Sequence, residues 1–451
     1  MSIVTTDQFP PGISGVLDVA MHPDVATPTP ATDRTIAIVG LGYVGLPTAL
    51  SFAHAGHKVI GIDVSEDRIA RIRAGEVDLT PDDHLRLAAA NVDPDFQITS
   101  ASGVVSEADV VIVCVPTPID SHQLPDLTPL KAACDLVVDR AVPGQLIVLT
   151  STTYAGTTYD LLVGPLAERG LTVGTDVHVA FSPERINPGV TTHAHDAVPR
   201  VVGGVTPACS QRAAEVLGRI TSRVHVVSTT GAAELTKLFE NTFRAVNISL
   251  ANEFATVCSE LGVDVTEVLD AADSKPFGFM RFDPGPGVGG HCIPCDPHYL
   301  LWQLREHRMH MPVVEAAMNG IENRPLQVSD RVLRLLADQG IAPRDARVLV
   351  VGVAYKPDVE DVRESPAIEI VSRLVRAGVV VAATDPYVRS MPLTDGTVLT
   401  CSRLGDLEVS EFDVVLVHTL HQADDLTPLE DAAVVLDATY RLPDLPGRVI
   451  L

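Results

Sequence analysis

A thiol and a carboxylate follow a run rich in glycine and proline, Pro284–His298, which reads PGPGVGGHCIPCDPH. Because glycine carries no side chain and tolerates positive φ, such a run lets the backbone approach a ligand closely. Cys292 offers a nucleophile, and Asp296 offers an acid or base four residues later, an arrangement typical of covalent catalysis. A surface turn that happens to contain a cysteine would have the same sequence, so the rest of the chain must distinguish the two.

Cys292 and Cys295 also have the Cys-x-x-Cys spacing of a redox pair or of half a zinc site. No second Cys-x-x-Cys and no paired histidines stand at ligand spacing elsewhere in the sequence, so no metal site is predicted. A redox pair normally opens a helix in a thioredoxin-like unit, whereas this pair follows a glycine loop. Redox chemistry therefore stays the minor alternative.

The composition is that of a globular protein with several domains. A chain of 451 residues exceeds one ordinary core, and 46% hydrophobic with 20% charged residues is typical of a soluble fold. The charge, 33 − 58 = −25, disfavours non-specific binding to nucleic acid or to an anionic membrane. No apolar run reaches the roughly 18 residues of a membrane span, and no secretory signal is visible. Seven cysteines, an odd number, then favour a cytoplasmic protein without a disulfide framework.

The first third contains a strand, a glycine turn, a helix and a second strand, in the order of a dinucleotide-binding unit. The predicted strands are Ile36–Val39 and Val59–Ile62, and the signature residues are Gly40, Gly42, Gly45 and Asp63. Gly42 would let a pyrophosphate reach the backbone at the helix N-terminus. Asp63 would accept from the ribose hydroxyls and repel a 2′-phosphate, so NAD is favoured over NADP. A glycine-rich turn without a ligand is the weaker alternative.

Three further buried strands continue the alternation. Val110–Val115 and Gln145–Leu149 end in residues that should face the ligand edge of a parallel sheet, namely Pro116, Thr117, Ser151 and Thr152. Val177–Phe181 leads into Ser-Pro-Glu-Arg, where Glu184 is a candidate acid or base. On its own, this residue is more simply an exposed loop carboxylate.

A long helix, Ala232–Leu261, is predicted from its periodic apolar residues. Lys237, Asn241 and Arg244 stand at i, i+4 and i+7, so they share one face. We interpret this face as one wall of a site, although a solvated stripe would have the same spacing. Lys275 follows before the glycine-rich run.

The last third restarts the alternation of strand and helix. A strand at Arg347–Val353 precedes the segment that carries Lys356 and Arg363, and Val379–Ala383 ends at Asp385. This second Rossmann-like unit lacks the glycine fingerprint, so it should bind something other than a dinucleotide. The predicted fold is α/β, with two Rossmann-like doubly wound domains joined by a long central helix.

The predicted division of the chain has four parts. Residues 1–33 form a flexible tail, because they are rich in Pro and Thr and lack periodicity. Residues 34–225 form an NAD-binding domain, and 226–325 form a central helical domain with the Cys292 loop, which the resemblance described below implies is the dimerisation domain. Residues 326–451 form the second Rossmann-like domain.

The order of these motifs resembles the UDP-glucose/GDP-mannose dehydrogenase family over nearly all of the chain from Thr35 onward. The motifs are GxGxxG, VPTP, ST, SPER, KxxxN on a long helix, GGxCxPxD and YKPDxxDxRESP. SPERINPG at 182–189, KPFGFM at 275–280 and GGHCIP at 289–294 are similar to the UDP-N-acetylhexosamine branch, most of all UDP-N-acetylglucosamine 6-dehydrogenase. Cys295 departs from the pattern of the UDP-glucose enzymes, which usually have Lys there.

The resemblance implies a four-electron oxidation of carbon 6 of the sugar, from alcohol to carboxylate, with two NAD. Cys292 would form a thiohemiacetal with the aldehyde and then a thioester. Lys237 and Asn241 would stabilise the oxyanion, while water and protons would be handled by Asp296, Glu184 and Thr152. Which group is the base in each step stays open.

The resemblance also implies two sets of binding residues. Those for NAD are Gly40, Gly42, Tyr43, Val44, Gly45, Asp63, Pro116, Thr117, Ser151, Thr152 and Arg363. Those for the UDP-sugar are Glu184, Arg185, Lys237, Asn241, Arg244, Lys275, Gly289, His291 and Lys356. Because neighbours on extended backbone point apart, His291 is expected to contact the sugar or to make a structural hydrogen bond rather than to activate Cys292.

The assembly and two competing functions also follow from this comparison. The family implies a homodimer around the 232–261 helix, and higher oligomers remain open. One competitor is a two-electron hydroxyacid dehydrogenase, which would need no thiol. Another is a non-catalytic NAD-binding protein with a thiol switch. Within the family, UDP-glucose and UDP-N-acetylmannosamine are the alternative substrates.

Overall fold

The computed structural model describes residues 34–120, 122–185, 197–290 and 292–451. The predicted tail, residues 1–33, and His291 lie outside the described residues. The described chain contains two largely parallel sheets joined by long helices, which confirms the predicted α/β class.

The first sheet has eight strands, which are β1 (Thr35–Val39), β2 (Lys58–Ile62), β3 (Phe96–Thr99), β4 (Val110–Val113), β5 (Leu146–Leu149), β6 (His178–Phe181), β7 (Arg200–Gly204) and β8 (Val224–Val227). Their order is β3-β2-β1-β4-β5-β6-β7-β8, and only the β6–β7 pair is antiparallel among them. The order reverses between β1 and β4, and open α/β sheets bind their ligands at such a switch point.

Helices cover both faces of this sheet. They are α1 (Gly45–His54), α2 (Glu66–Ala74), α3 (Pro81–Ala90), α4 (Thr128–Arg140), α5 (Gly164–Glu168), which follows a π-helical turn at Tyr159–Val163, and α6 (Pro207–Leu217). The central strands β4 and β5 are buried on both sides, which explains their continuous runs of Val, Ile and Leu, whereas the edge strands β3 and β8 are partly exposed.

Long helices link the first sheet to the second. They are α7 (Thr230–Leu261), α8 (Val265–Asp273), α9 (Asp296–Glu306) and α10 (Pro312–Asp338). The hydroxyl of Thr229 caps the start of α7 by accepting the N–H of Ala232, and Gly262 ends the helix with a φ of +68°. Helix α10 passes through residue 325, where the sequence predicts the boundary between the second and third domains. None of the helices in the described ranges is long and apolar enough to cross a membrane.

The second sheet has seven strands, which are β9 (Arg347–Val351), β10 (Val380–Thr384), β11 (Ser390–Pro392), β12 (Val398–Ser402), β13 (Val414–Val417), β14 (Val435–Asp437) and β15 (Arg448–Ile450). Their order is β11-β12-β10-β9-β13-β14-β15, with only β11–β12 antiparallel among them, and α11 (Pro366–Arg376) packs on the sheet. Its switch point lies between β9 and β13, where the segment carrying Lys356 begins.

Candidate functional site

The predicted catalytic residues of α7 and of the glycine-rich run meet where α9 begins. The Nδ2 amide of Asn241 donates to the Asp296 carboxylate at 2.5 Å, and both residues are buried. Lys237, one turn earlier on α7, is only 8% exposed and stabilises the charged form of Asp296. The structure therefore brings together a thiol, a carboxylate, an amide and a cation that are far apart in the sequence.

Water is largely removed from the Asp296 carboxyl. This burial raises its pKa to about 6, although Lys237 and the hydrogen bond from Asn241 act in the opposite direction. A carboxylate with such a pKa is well matched to accepting a proton near neutral pH. The group can therefore act as a base where an ordinary aspartate would be too weak.

Cys292 is an exposed residue. The protein around it nevertheless raises the pKa of this thiol by desolvation, and the Asp296 carboxylate raises it further. Three nearby cations oppose this rise, namely Lys237, Arg244 and Lys356. The charge state of the Cys292 thiol thus depends on cations that come from both α7 and the last third of the chain.

The Cys-x-x-Cys pair lies directly before a helix. The N–H groups of Cys295 and Asp296 donate to the carbonyl of Cys292 at 3.2 and 2.8 Å, and α9 begins at Asp296. The pair therefore does open a helix, contrary to the sequence interpretation. Desolvation raises the pKa of the Cys295 thiol strongly, and Cys295 is buried whereas Cys292 is exposed, so Cys295 is the less accessible of the two thiols.

The glycine-rich run is clamped between the central helices and the last third of the chain. Gly285 donates to the side chain of Asn252 at 2.8 Å and accepts from Arg324 at 2.8 Å. A Cβ on Gly289 would lie 2.6 Å from the Cβ atom of Tyr355, and one on Gly290 would lie 2.9 Å from the Tyr355 ring. These contacts explain why glycines are required here, and they fix the loop that presents Cys292.

Glu184 lies in an inner ion pair, not on an exposed loop. Its carboxylate is 2.9 Å from the guanidinium of Arg200, and the side chain is 11% exposed. The sequence contained no signal for Arg200 as its partner. Arg185 pairs with Glu240 on α7 and donates to the carbonyl of Pro199 at 3.1 Å.

The residues that follow β4 and β5 meet at the carboxyl edge of the first sheet, on one side of its switch point. The Ser151 hydroxyl donates to the carbonyl of Val115 at 2.8 Å, and Thr152 beside it is half-buried. The Tyr299 hydroxyl, from α9, donates to the carbonyl of Pro118 at 3.4 Å and also bonds to Thr117. The dinucleotide edge and the helix after the catalytic loop are therefore in direct contact.

The glycine turn has the shape that a dinucleotide requires. Gly40 has a φ of +91°, and a Cβ on Gly45 would lie 1.8 Å from the carbonyl of Gly40, so both positions demand glycine. A Cβ on Gly42 would meet no protein atom within 4 Å, so this position is open for a ligand. Asp63 accepts from Leu41 at 2.8 Å, which holds its carboxylate at the end of β2. The residues present fit NAD.

Arg363 joins the last third of the chain to this turn. Its guanidinium lies 5.8 Å from the centroid of the Tyr43 ring and pairs with Asp361 at 2.6 Å. Val44, the residue after Tyr43, is half-buried and immediately precedes α1. Arg363 thus lies beside the glycine turn that follows β1.

The remaining predicted substrate residues are less closely grouped. Burial lowers the pKa of Lys356 to about 8, and its ammonium lies 5.5 Å from the centroid of the Tyr355 ring. Arg244 is exposed on the α7 face that carries Lys237. Lys275 is exposed and lies over its neighbour Phe277, with Nζ 5.0 Å from the ring centroid.

Several residues of the site's framework were not singled out from the sequence. Tyr355 and Glu364, which pack against the catalytic glycines, belong to the YKPDxxDxRESP motif that was noted as a whole. Glu234 is fully buried on α7 and accepts from the backbone of Gly156 and Thr158 at 2.6 and 2.9 Å. The sequence has no local signal for this last contact, because it joins positions more than 70 residues apart.

Family models match three consecutive parts of the chain. Residues 34–221 match the NAD binding domain of the UDP-glucose/GDP-mannose dehydrogenase family, residues 231–321 match its central domain, and residues 349–441 match its UDP binding domain. The two Rossmann-like units thus correspond to the NAD and UDP binding domains of that family.

Individual relatives and a solved structure point to the same family. Protein CapL of Staphylococcus aureus is 38% identical, over 78% of this chain and 82% of its own. UDP-N-acetyl-D-mannosamine dehydrogenase of Escherichia coli K12 is 36% identical (74% and 81% covered), and UDP-N-acetyl-D-glucosamine 6-dehydrogenase of Pseudomonas aeruginosa is 35% identical (79% and 83%). The UDP-D-ManNAc dehydrogenase structure from Pyrococcus horikoshii superposes with a TM-score of 0.83 at 31% identity, covering 92% of this chain and 98% of that one. The chain belongs to the UDP-glucose/GDP-mannose dehydrogenase family and is an NAD-dependent dehydrogenase of that family.

Proposed function

We propose that the protein oxidises carbon 6 of a UDP-N-acetylhexosamine, most simply UDP-N-acetylglucosamine, to the uronic acid, as a precursor for polysaccharide or glycan synthesis. The observation that carries this proposal is the meeting of Cys292, Lys237, Asn241 and Asp296 where α7 and α9 come together. A thiol in such a site serves a dehydrogenase that must oxidise an aldehyde as well as an alcohol. A two-electron hydroxyacid dehydrogenase or a non-catalytic thiol switch would not need this set of residues.

NAD would be held by the glycine turn and the strand ends around it. When bound, it supplies the acceptor for the hydride that leaves carbon 6 in each of the two oxidations. Gly42 leaves room for the pyrophosphate, and Asp63 would accept from the ribose hydroxyls. The remaining members of the proposed NAD set are Gly40, Tyr43, Val44, Gly45, Pro116, Thr117, Ser151, Thr152 and Arg363.

Gly42→Ala is expected to weaken NAD binding about tenfold or more without destabilising the protein, because its methyl group meets no protein atom but occupies the space of the pyrophosphate. Gly45→Ala is the matched control, since its methyl group would collide with the carbonyl of Gly40 and should lower the melting temperature. Calorimetric titration with NAD and thermal unfolding measure the two effects. Unchanged NAD affinity in Gly42→Ala would show that the dinucleotide lies elsewhere.

The chain's own residues would perform the chemistry in three steps. First, a base removes the proton of the C6 hydroxyl as the hydride leaves, which yields an aldehyde. Cys292 then adds to the aldehyde carbon through a new C–S bond, and the resulting thiohemiacetal is oxidised to a thioester as a second hydride and proton leave. Finally, water attacks the thioester carbonyl, the C–S bond breaks, and the acid and the thiol are released. The thiol is required because an aldehyde must become tetrahedral before it can lose a hydride.

The groups around the thiol have separate proposed roles. Lys237 would stabilise the alkoxide and the tetrahedral oxyanion, with Asn241 donating a further hydrogen bond. Asp296 would accept protons, because its raised pKa makes it an effective base near neutral pH. Glu184 and Thr152 would position the water that hydrolyses the thioester.

The rate should fall as Asp296 becomes protonated. Burial raises its pKa above the ordinary value to about 6, so the basic form is complete above that pH and is lost as the pH falls through it. We expect kcat/KM to fall about tenfold for each pH unit below this point. Asn241→Ala removes a donor that lowers this pKa and should shift the acid limb upward. A pH profile that is flat down to pH 5 would contradict the assignment of Asp296 as a base.

The nucleotide end of the substrate would meet Lys356, which belongs to the part of the chain matched by the UDP binding domain. We extend the substrate site to Glu184, Arg185, Lys237, Asn241, Arg244, Lys275, Gly289 and His291. Gly289 packs against Tyr355, the residue before Lys356, so the catalytic loop would lie beside the proposed nucleotide site.

The identity of the sugar can be tested by comparing substrates. The relatives named above include both UDP-N-acetyl-D-mannosamine and UDP-N-acetyl-D-glucosamine enzymes, and a UDP-glucose dehydrogenase structure from Pyrobaculum islandicum superposes with a TM-score of 0.79 at 26% identity. We expect kcat/KM to be highest with UDP-N-acetylglucosamine, with the uronic acid identified by mass spectrometry. A preference for UDP-N-acetylmannosamine or UDP-glucose would show that the proposed substrate is wrong, but it would leave the proposed oxidation of carbon 6 in place. Release of the aldehyde as sole product would overturn the chemistry.

We propose that α7 forms the centre of a homodimer. Apolar side chains on it face solvent, and they include Leu235 (44% exposed), Phe239 (71%) and Phe243 (40%). Together with Val246 and Met311 they line an apolar concavity of about 520 Å³. Exposed apolar surface of this kind is typical of protein interfaces.

Phe239→Glu should convert the dimer to a monomer, because it places a charge in the apolar surface of α7. Light scattering after gel filtration measures the mass. Val92→Glu is the matched control, since Val92 is 83% exposed on a different part of the molecule and should leave the mass unchanged. A wild-type protein that is monomeric would refute the dimer.

Three further expectations belong to this proposal. We retain the division of the described chain into residues 34–225, 226–325 and 326–451. We also propose a cytoplasmic setting, because an exposed thiol that must act as a nucleophile needs a reducing compartment. Neither nucleic acid nor membrane is expected as a partner of so acidic a chain.

A further inference from the structure

Two loops at the carboxyl edge of the second sheet are tied together by a buried pair of side chains. The 352–358 loop follows β9 and carries Lys356, and the 418–424 loop follows β13. The side chains of His421 and Asp385 have no exposed surface, and His421 Nε2 lies 3.1 Å from Asp385 Oδ2. Asp385 is thus a buried carboxylate at the ligand edge of the sheet, it is hydrogen-bonded to a buried imidazole, and it has no part in the proposed chemistry.

Asp385 fixes the beginning of the 352–358 loop. The same Oδ2 atom accepts from the backbone N–H groups of Val353 and Ala354 at 2.8 and 3.1 Å. Burial disfavours the charged carboxylate, but the hydrogen bond from His421 and those from the backbone outweigh it and lower the pKa of Asp385 to about 2. Asp385 is therefore a fixed anion that organises its donors.

His421 fixes the end of the same loop. Its Nδ1 atom accepts from the backbone N–H of Asp358 at 2.9 Å, so Nδ1 carries no proton and Nε2–H must donate to Asp385. Asp358 has a φ of +60°, a conformation that residues other than glycine adopt only with support. Its own carboxylate accepts from the N–H of Gln422 at 2.9 Å, which completes a reciprocal pair of bonds between the two loops.

Hydrogen bonds to the 418–424 loop hold the backbone both before and after Lys356. Two residues before it, the carbonyl of Ala354 accepts from the Thr419 hydroxyl at 2.7 Å. Two residues after it, Asp358 is held by His421. The backbone that carries Lys356 is thus anchored to the 418–424 loop at both ends. Because the partly buried Lys356 side chain then has few rotamers left to lose, it can bind an anion at a smaller cost in conformational entropy.

We propose that His421 is a positioning residue for the nucleotide end of the substrate: its neutral imidazole, oriented by Asp385, holds the 352–358 loop so that Lys356 meets the diphosphate of a nucleoside diphosphate. The inference rests on the proposed function, which assigns Lys356 to the nucleotide. It adds a residue that neither contacts the reacting atoms nor belongs to the motifs of the sequence analysis.

The test compares two variants that each keep one of the two imidazole bonds. His421→Asn retains an acceptor near Nδ1 for Asp358, whereas His421→Gln retains a donor toward Asp385 and loses that acceptor. Calorimetric titration of the full chain with UDP should show a dissociation constant about tenfold higher for His421→Gln and less than about threefold higher for His421→Asn. Titration with NAD should give wild-type values for both variants.

A double-mutant cycle with Lys356→Met separates positioning from a general loss of structure. If His421 acts through Lys356, His421→Gln should weaken UDP binding no further once Lys356 has been replaced. Additive effects, or wild-type UDP affinity in His421→Gln, would overturn the proposal. If His421→Gln does not fold, Thr419→Val removes the bond at the other end of the loop and must show the same non-additivity for the proposal to survive. Failure of the wild-type protein to bind UDP at all would instead overturn the proposed function itself.

Discussion

Cys292→Ala is expected to abolish formation of the uronic acid while NAD and UDP still bind. Without the thiol, the aldehyde has no protein nucleophile to make it tetrahedral, so the second oxidation cannot proceed by the covalent route. We expect acid formation to fall by at least about 10³-fold, since removal of a covalent nucleophile costs on that order or more. The acid is quantified by mass spectrometry under single-turnover conditions.

Cys295→Ala is the matched control for this experiment. It removes a thiol three residues away that is expected to be unreactive, because Cys295 is buried whereas Cys292 is exposed. Its rate of acid formation should stay within a few-fold of wild type. Comparable losses in both variants would assign the effect to a Cys292–Cys295 redox pair, and full activity in Cys292→Ala would refute covalent catalysis.

Lys237→Met is expected to lower kcat about 10²- to 10³-fold, the usual cost of losing one donor to a developing oxyanion. It should also slow alkylation of Cys292 by iodoacetamide near neutral pH, because Lys237 is one of the cations that lower the pKa of that thiol. The two measurements are steady-state turnover and the pH dependence of alkylation. The matched control is Lys131→Met, an exposed lysine on α4.

The combination of the two readouts is diagnostic. Slow turnover with a normal alkylation profile would restrict Lys237 to the oxyanion. Slow alkylation with normal turnover would contradict its catalytic role altogether. Because Lys237 is buried and also lowers the pKa of Asp296, the acid limb of the pH profile should move upward in the variant.

The fold could be predicted from the sequence where its signals are local. The unit from β1 to β2 was recognised because a strand, a glycine turn and a helix follow one another within 30 residues, and each signal confirms the next. Helix α7, which has 32 residues, is predicted within two residues of its start because its apolar residues recur with a helical period as far as Leu261. The end of β9 was predicted two residues late, since Gly352, with a φ of +76°, turns the chain out of the strand before the apolar residues end.

The site could be predicted only in part. Its members on a single element, such as Lys237 and Asn241, are visible as a helical face. Contacts between distant elements leave no pattern in one sequence. The hydrogen bond from Asn241 to Asp296 spans 55 residues, and the bond that joins His421 to Asp385 spans 36. The ion pair of Glu184 with Arg200 depends on how β7 pairs with its neighbours, so the simpler interpretation of an exposed carboxylate was incorrect.

The number of NADH formed per sugar tests the central claim most directly. A limiting amount of UDP-N-acetylglucosamine is consumed to completion with excess NAD, and NADH is read by its absorbance. We predict two NADH per sugar, because the alcohol and the aldehyde are each oxidised once before the product leaves Cys292. One NADH per sugar would mean that the reaction stops at the aldehyde, and it would contradict the covalent role of Cys292.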